Sequence, residues 1–298
     1  MKKIVIITGL TASGKSGLAV EIAKKYNGEI ISADSVQIYR GLDIGSAKES
    51  TDTMSVISHH LIDIKNPDET YNVGEFVEDC KNAINDIISR NKIPIVVGGT
   101  GLYVKALLEG YSLGTTANNE FREKYQKLAE INGKEYVWNI LNEINPDKAK
   151  TVHFNNLKRV IRYLEIELNP NEKDGEKPTS ILADFDVLSI GVIADREVIY
   201  NKINERVDIM INDGLEQEVL SLKNQGITRN NQSVTSIGYR EWFDYFEGKI
   251  SKQETIDLIK QHTRNYCKRQ LTFLKTIKGI ELLDKAQAKI RIEEFLND

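Results

Sequence analysis

The chain has few of the residues that mark secreted, metal-binding or membrane proteins. It has only two cysteines, Cys80 and Cys267, so neither a disulfide framework nor a cysteine-based metal site is available. Its four histidines show no metal-ligand spacing. Only four apolar residues follow Met1-Lys2-Lys3, too few for a signal peptide, and no apolar run is long enough to span a membrane. We therefore expect a cytoplasmic protein with no membrane partner.

Neither sign of charge is in large excess. The chain has 40 basic and 44 acidic residues, for a net charge of −4, so an RNA-binding surface would have to be a local basic patch. Its 298 residues are enough for two domains, or for one α/β core that carries an insertion. The sequence does not show an oligomeric state, and a monomer is the default expectation.

The most informative stretch is Gly9-Leu10-Thr11-Ala12-Ser13-Gly14-Lys15-Ser16, which fits the phosphate-binding loop pattern Gly-x-x-x-x-Gly-Lys-[Ser/Thr]. A short buried strand, Ile4–Ile7, precedes it, and apolar residues at helical spacing follow it. Such a loop forms a concave nest of backbone N–H groups, to which the new helix adds its positive end. Lys15 can reach outer phosphate oxygens, and the Ser16 hydroxyl is placed to bind a Mg²⁺ held by the phosphates.

Strand and helix patterns alternate through the first third of the chain, which predicts an α/β fold: a P-loop NTPase-like parallel sheet with helices on its faces. The predicted strands are Ile4–Ile7, Glu29–Ser32, His60–Ile64, Ile93–Val97 and Val187–Ile193. Three helices without a strand between them occupy residues 115–182, which we interpret as a helical insertion. Residues 1–114 and 183–298 then form the core, whose C-terminal region is helical and includes a predicted helix over 235–247.

Ligands of open parallel sheets bind at the carboxyl ends of the strands. Three stretches should therefore converge on the phosphate loop: Asp34–Gln37, Gly98–Gly101 and Asp195-Arg196. The strand that ends at Val97 lacks the Mg²⁺-binding Asp of hydrolysing P-loop enzymes, which weakens an ATPase interpretation and leaves a kinase open. Asp34 is the best candidate for a catalytic carboxylate, although a turn-capping role is equally compatible with its position.

Basic residues cluster on two predicted helices. Lys158, Arg159 and Arg162 lie opposite the apolar stripe of an inserted helix, and a second basic face includes Arg264 and Arg269 on the long C-terminal helix. Each face alone could simply be solvated. Two basic faces on a phosphate-binding core are more typical of a nucleic-acid partner.

Together these stretches resemble the tRNA dimethylallyltransferases, and the resemblance covers nearly the whole chain. The phosphate loop alone is shared by many enzymes. Far more specific are Asp34–Gly45, with its Asp-Ser-x-Gln-x-Tyr-Arg-Gly pattern, and Arg264–Thr272, with its Lys-Arg-Gln-x-Thr pattern.

The resemblance implies transfer of a dimethylallyl group from dimethylallyl diphosphate to N6 of the adenosine 3′ to the tRNA anticodon, with Mg²⁺ as cofactor. It implies catalytic roles for Asp34 as base and for Lys15, Thr100 and Arg206 around the diphosphate and substrate. Diphosphate binding would fall to Gly9–Ser16, and a Mg²⁺ contact to Ser16. The residues implied in binding the tRNA anticodon stem-loop are Asp34, Ser35, Val36, Gln37, Thr100, Arg122, Lys158, Arg159, Val160, Ile161 and Arg162.

Three alternatives stay open from the residues themselves. A P-loop kinase of a nucleoside or metabolite would consume ATP without any prenyl donor. An isopentenyltransferase of free adenine nucleotides would share the core, although it would need no helical insertion. A non-enzymatic RNA-binding protein would have no need for Lys15, Ser16 and Asp34 together.

Overall fold

The computed structural model describes residues 2–110, 118–169 and 179–298. Its strands are β1 (Lys3–Gly9), β2 (Gly28–Ser32), β3 (His59–His60), β4 (Ile93–Gly98), β5 (Asp186–Val192) and β6 (Glu281–Leu283). Its helices are α1 (Lys15–Lys25), α2 (Thr51–Val56), α3 (Val73–Ser89), α4 (Gly101–Glu109), α5 (Asn119–Asn132), α6 (Lys134–Ile144), α7 (Pro146–Lys150), α8 (Leu157–Leu168), α9 (Arg196–Asn212), α10 (Leu215–Asn224), α11 (Arg240–Phe246), α12 (Lys252–Leu274) and α13 (Lys285–Asn297). Among these residues, no helix is both long and apolar enough to cross a bilayer.

The six strands form one sheet in the order β3-β2-β4-β1-β5-β6, and every neighbouring pair is parallel. This confirms the predicted α/β class. Strand β1 lies between β4 and β5, with Ile6 opposite Val96 on one side and Ser189 on the other. Because β2, β4 and β1 are adjacent and parallel, the loops that follow them emerge side by side at one edge of the sheet.

Both faces of β1 are buried, as expected for a continuous run of apolar residues in a parallel sheet. Val5 and Ile7 pack in one cluster with Ile22 of α1 and with residues of α13. Ile4 and Ile6 face the other way and pack in a second cluster with residues of α3 and α4. The sheet is therefore covered by helices on both sides, which fixes the loops at its edge.

The chain divides into two compact units: Met1–Gly110 with Ser180–Asp298, and Tyr111–Thr179. The predicted insertion, 115–182, ends later than the second unit does. The reason is that the Ser180 hydroxyl donates a hydrogen bond to the Leu107 carbonyl (2.6 Å) and Leu182 is buried in the core of the first unit. In the second unit, α5 to α8 surround their own apolar cluster, which includes Val137, Leu141 and Leu164.

Two predicted elements differ from the structure because single residues adopt left-handed backbone conformations. The strand predicted for His60–Ile64 is reduced to His59–His60, since Leu61 and Asp63 have φ angles of 60° and 56°. The helix predicted for 235–247 begins only at Arg240, after a 3₁₀ turn and a Gly238 with a φ of 97°. Glycine adopts that angle without the steric penalty of a side chain.

Candidate active site

The phosphate loop joins β1 to α1, as predicted. Gly9 packs so closely on β5 that a Cβ atom there would lie 2.3 Å from the Val192 carbonyl oxygen. Leu10 N donates to the same oxygen (3.1 Å), so the first residues of the loop are held by β5. In the described part of the chain, the backbone N–H groups of Ala12, Gly14, Lys15 and Ser16 have no protein acceptor. These N–H groups at a helix N-terminus suit a phosphate group.

Lys15 extends into the site, where its Nζ donates to the Leu10 carbonyl (3.2 Å). Burial, with a smaller contribution from Arg206, lowers the pKa of Lys15 from 10.5 to about 8, against the opposing effects of Asp34 and Cys267. Burial also lowers the pKa of Arg206, which the carboxylates of Asp34 and Glu49 partly offset. Two cations thus share a site that contains too little negative charge for both, as expected where an anionic ligand binds.

Asp34, which follows β2, caps a turn and also lines the site. Its Oδ1 accepts hydrogen bonds from Val36 N (2.9 Å) and Gln37 N (3.4 Å). Its Oδ2 has no hydrogen-bond partner among the described residues. The turn-capping and catalytic interpretations are therefore compatible, because the cap uses one oxygen and fixes the direction of the other.

Two cavities meet beside Asp34. The first, of about 100 Å³, contains Lys15 and Ser16, and the second, of about 400 Å³, contains Thr100 and Arg269. The residues that line both are Thr11, Asp34, Ser46, Arg206 and Tyr266. A ligand in the first cavity and a ligand in the second would therefore meet at Asp34 and Arg206.

The side chains of Thr100 and Gln37 form hydrogen bonds between the loops that line the site. Thr100 lines the second cavity but not the first, and its Oγ1 accepts a hydrogen bond from Ser35 N (3.1 Å). The Gln37 amide donates to the carbonyls of Ser46 (3.3 Å) and Ala47 (3.2 Å) and accepts from the Ser32 hydroxyl (2.9 Å). Both donors of that amide have protein partners, while its Oε1 accepts one hydrogen bond and can accept a second in the predicted tRNA contact.

The Asp195-Arg196 pair follows β5 at the predicted edge of the sheet, because β5 is parallel to β1, but its side chains do not reach the site. Asp195 caps α9 by accepting a hydrogen bond from Glu197 N (2.8 Å), and the Arg196 guanidinium stacks on the Tyr200 ring at 5.2 Å. Neither residue lines the two cavities. The charged residue that α9 supplies to the site is Arg206, near the middle of that helix.

The predicted tRNA-binding residues of the second unit fall into three groups. The side chains of Lys158 and Arg159 are exposed. Val160 and Ile161 are buried in the apolar cluster, so their side chains do not lie on the exposed face of α8, and the tRNA contact of this stretch stays a prediction. Arg122 and Arg162 pair with the fully buried Glu165 carboxylate, at 2.9 and 2.7 Å. Removing either cation would weaken the compensation of a buried charge, so both have a structural role.

The described residues fit a Mg²⁺ that the ligand itself brings. No group of three or more His, Cys, Asp or Glu side chains in residues 2–110, 118–169 and 179–298 could hold a metal ion. The Ser16 hydroxyl lines the first cavity and has no hydrogen-bond partner among those residues. Mg²⁺ is commonly bound by few protein ligands together with substrate phosphates and waters.

Comparison with known proteins identifies the family. A model of the IPP transferase family matches residues 37–277, and a model described as isopentenyl transferase matches residues 2–66. The chain belongs to the IPP transferase family. A tRNA dimethylallyltransferase of Bacillus anthracis is 45% identical over 287 residues, which cover 95% of this chain and 91% of that protein.

Solved structures of related transferases resemble this IPP transferase along most of its length. The full-length tRNA isopentenylpyrophosphate transferase of Bacillus halodurans is 38% identical with a TM-score of 0.73, covering 100% of this chain and 96% of that one. A eukaryotic dimethylallyltransferase acting on tRNA is 31% identical with a TM-score of 0.76, covering 96% of this chain and 74% of that one. The chain is accordingly a prenyltransferase.

Several residues that line the first cavity of this IPP transferase were assigned no role from the sequence, among them Glu49, His59, Tyr266 and Gln270. The His59 Nε2 is buried and has no partner in the described structure, while its Nδ1 lies 2.7 Å from the Ile57 carbonyl. The signal that the sequence offered for Tyr266 and Gln270 was the Arg264–Thr272 stretch, whose Lys-Arg-Gln-x-Thr pattern contains Gln270. That pattern identified the family but did not indicate what its glutamine contacts.

Proposed function

We propose that this IPP transferase moves the dimethylallyl group of dimethylallyl diphosphate to N6 of the adenosine 3′ to a tRNA anticodon. The observation that supports this best is the meeting of the two cavities at Asp34 and Arg206. The phosphate loop lines the first cavity, where dimethylallyl diphosphate would bind. The second cavity reaches the same Asp34 carboxylate and would hold the adenine. Because its substrate is tRNA, we expect the enzyme to act in the cytoplasm.

The phosphate loop would hold a leaving group. The unpartnered N–H groups, Lys15 and Arg206 would stabilise the negative charge that develops on the diphosphate as its bond to the allylic carbon breaks. A Mg²⁺ at Ser16 would add charge neutralisation when bound. Strand β4 ends without the Mg²⁺-binding Asp of hydrolysing P-loop enzymes, which is consistent with a loop that holds a leaving group and not a nucleotide to be hydrolysed.

Asp34 would act on the acceptor. The N6 lone pair of adenine is delocalised into the ring, so N6 is a weak nucleophile until an N–H proton is accepted. The free Oδ2 of Asp34 is available for that proton, while Oδ1 stays in its turn. The new bond joins N6 to the allylic carbon, the carbon–oxygen bond to the diphosphate breaks, and the proton passes to the carboxylate. General-base assistance of this kind typically contributes about 10²–10⁴-fold in rate.

The adenine would enter the second cavity from an anticodon loop. Flipping a base out of its stack costs about a few kcal/mol, which contacts to the rest of the RNA must offset. Arg269 lines this cavity and is exposed, and Lys158 and Arg159 provide exposed positive charge on the second unit. These cations suit the phosphates of a structured RNA.

The decisive experiment uses labelled dimethylallyl diphosphate, Mg²⁺ and an anticodon stem-loop. We expect label on the adenosine 3′ to the anticodon, and none on a matched stem-loop with guanosine at that position. Label on free adenosine monophosphate at a comparable rate would instead identify a nucleotide-modifying enzyme. ATP consumption without any prenyl donor would identify a kinase.

A further inference from the structure

Gln270, on α12, links two loops of the active site through its side-chain amide. Its Oε1 accepts a hydrogen bond from Thr11 N (2.9 Å) and its Nε2 donates to the Gly99 carbonyl (3.0 Å). The reverse orientation of the amide would place two donors together and two acceptors together, so the hydrogen bonds fix its direction. Gln270 is buried, with 7% of its surface exposed.

The contacts continue from Gly99 to the turn that carries Asp34. Thr100 N donates to the Ala33 carbonyl (3.4 Å), and the Thr100 hydroxyl oxygen accepts a hydrogen bond from Ser35 N (3.1 Å). A short run of hydrogen bonds thus connects the phosphate loop after β1, the loop after β4 and the Asp34 turn after β2. Gln270 supplies the step between the first two.

We propose that Gln270 is a positioning residue that sets the placement of the phosphate loop relative to the Asp34 carboxylate. The proposal rests on the proposed function, because it assumes a diphosphate in the loop and a base at Asp34. Displacement at the allylic carbon requires the leaving oxygen and the attacking nitrogen on opposite sides of that carbon, and a misplacement of about 1 Å can cost about 10²-fold. By accepting the Thr11 N–H, Gln270 also leaves the neighbouring N–H groups of the loop as the donors to the diphosphate.

The Gly99 carbonyl accepts a second hydrogen bond, from the Tyr266 hydroxyl (3.2 Å), so it keeps one donor when Gln270 is changed. Gln270→Met keeps the length of the side chain and removes both of its hydrogen bonds.

The test is a double-mutant cycle on kcat, measured with dimethylallyl diphosphate and the anticodon stem-loop. For Gln270→Met we expect kcat to fall about 10- to 100-fold while KM for dimethylallyl diphosphate changes less than about threefold. In an Asp34→Asn background, where there is no base to align, the same change should cost less than about threefold.

A loss of kcat that is equally large with and without Asp34 would overturn the proposal. A residue with a purely structural role would lower kcat by the same factor in both backgrounds. A fall in thermal stability large enough to account for the lost activity would also overturn the proposal. Absence of product from the unaltered enzyme would instead refute the proposed function. The effect of Gln270 on the phosphate loop would then be tested by the pyrophosphate affinity of Gln270→Met.

Gln270→Glu keeps the test open if the methionine variant does not fold. The carboxylate preserves an acceptor for Thr11 N but places an oxygen against the Gly99 carbonyl. Only its protonated form can donate to Gly99, so the activity of this variant relative to the unaltered enzyme should rise as the pH is lowered. A ratio independent of pH would contradict a positioning role through Gly99.

Discussion

Replacing Lys15 by methionine should stabilise the free protein while abolishing diphosphate binding. The reason is that Lys15 and Arg206 are two cations in one site. In the folded protein without its ligand, the surroundings of Lys15 disfavour the charged form of its side chain. Burial and Arg206 lower the pKa of Lys15 from 10.5 to about 8. Methionine has a similar length and carries no charge, so the change removes the electrostatic cost and keeps the packing.

The expected size follows from the two pKa values. A difference of about 2.5 between unfolded and folded chains corresponds to about 3 kcal/mol of destabilisation. The hydrogen bond from Lys15 to the Leu10 carbonyl is lost in the variant, at a cost of about 1 kcal/mol. The net gain is therefore about 2 kcal/mol, which corresponds to a rise in Tm of about 4–8 °C for a unit of this size.

The pH dependence of stability tests independently that the charge of Lys15 destabilises the folded protein. The unfolded chain keeps the Lys15 proton up to about pH 10.5 and the folded chain only up to about pH 8. The destabilisation is therefore full below pH 8 and disappears as the pH rises from 8 to 10.5. The advantage of Lys15→Met should shrink across the same range.

The unfolding of the first unit can be followed separately because the chain has two tryptophans, Trp138 and Trp242, one in each unit. A Trp138→Phe background leaves the buried Trp242 as the reporter in urea titrations. A variant less stable than its parent at pH 7, or an advantage that is constant up to pH 10, would refute the reasoning.

Three further outcomes are expected. Asp34→Asn should lower single-turnover prenyl transfer about 10²-fold or more, with pyrophosphate affinity nearly unchanged, because asparagine keeps the turn and loses the base; an equal loss of pyrophosphate affinity in calorimetry would contradict this. The double variant Lys158→Glu, Arg159→Glu should weaken tRNA binding and flatten its salt dependence, and an unchanged salt slope would place the RNA elsewhere. Gly9→Ala should yield little folded protein, as judged by circular dichroism, because its Cβ would lie 2.3 Å from the Val192 carbonyl oxygen; a variant with unaltered Tm would show that β5 can move away.

Arg162 provides the control for the two charge reversals. Its guanidinium pairs with the buried Glu165 carboxylate, so Arg162→Glu should lower the Tm of the second unit as well as RNA affinity. The exposed pair should lower affinity alone. If both variants lower Tm equally, the double reversal does not report on RNA binding.

Patterns within a few residues of each other allowed the sheet, most helices and the phosphate loop to be predicted from the sequence. The failures occur where one residue changes the backbone direction. Leu61 and Gly238 adopt positive φ angles within segments whose apolar spacing favours a strand and a helix, and spacing carries no information on such angles. The helix α7 was missed because its five residues are too few to show a period.

The site was predictable only in part, because its parts are distant in sequence. Asp34 follows a strand, where ligands of parallel sheets bind, so its position made it a candidate, and Lys15 was indicated by the phosphate-loop pattern. Gln270 meets Thr11 across 259 positions, and no local pattern reveals such a contact. The predicted tRNA-binding stretch included the buried Val160 and Ile161 because a run of matching residues does not distinguish the exposed face of a helix from the buried one.

The position of β5 beside β1 has a consequence for how the protein is made. The phosphate loop precedes the second unit along the chain, yet it is held by Val192, which is synthesised after the whole second unit. Arg206 and Gln270 emerge later still. A chain that stops before β5 thus lacks one of the two strands that pair with β1. We expect such fragments to bind no diphosphate. Synthesis must pass well beyond the second unit before the ribosome has released a protein capable of prenyl transfer.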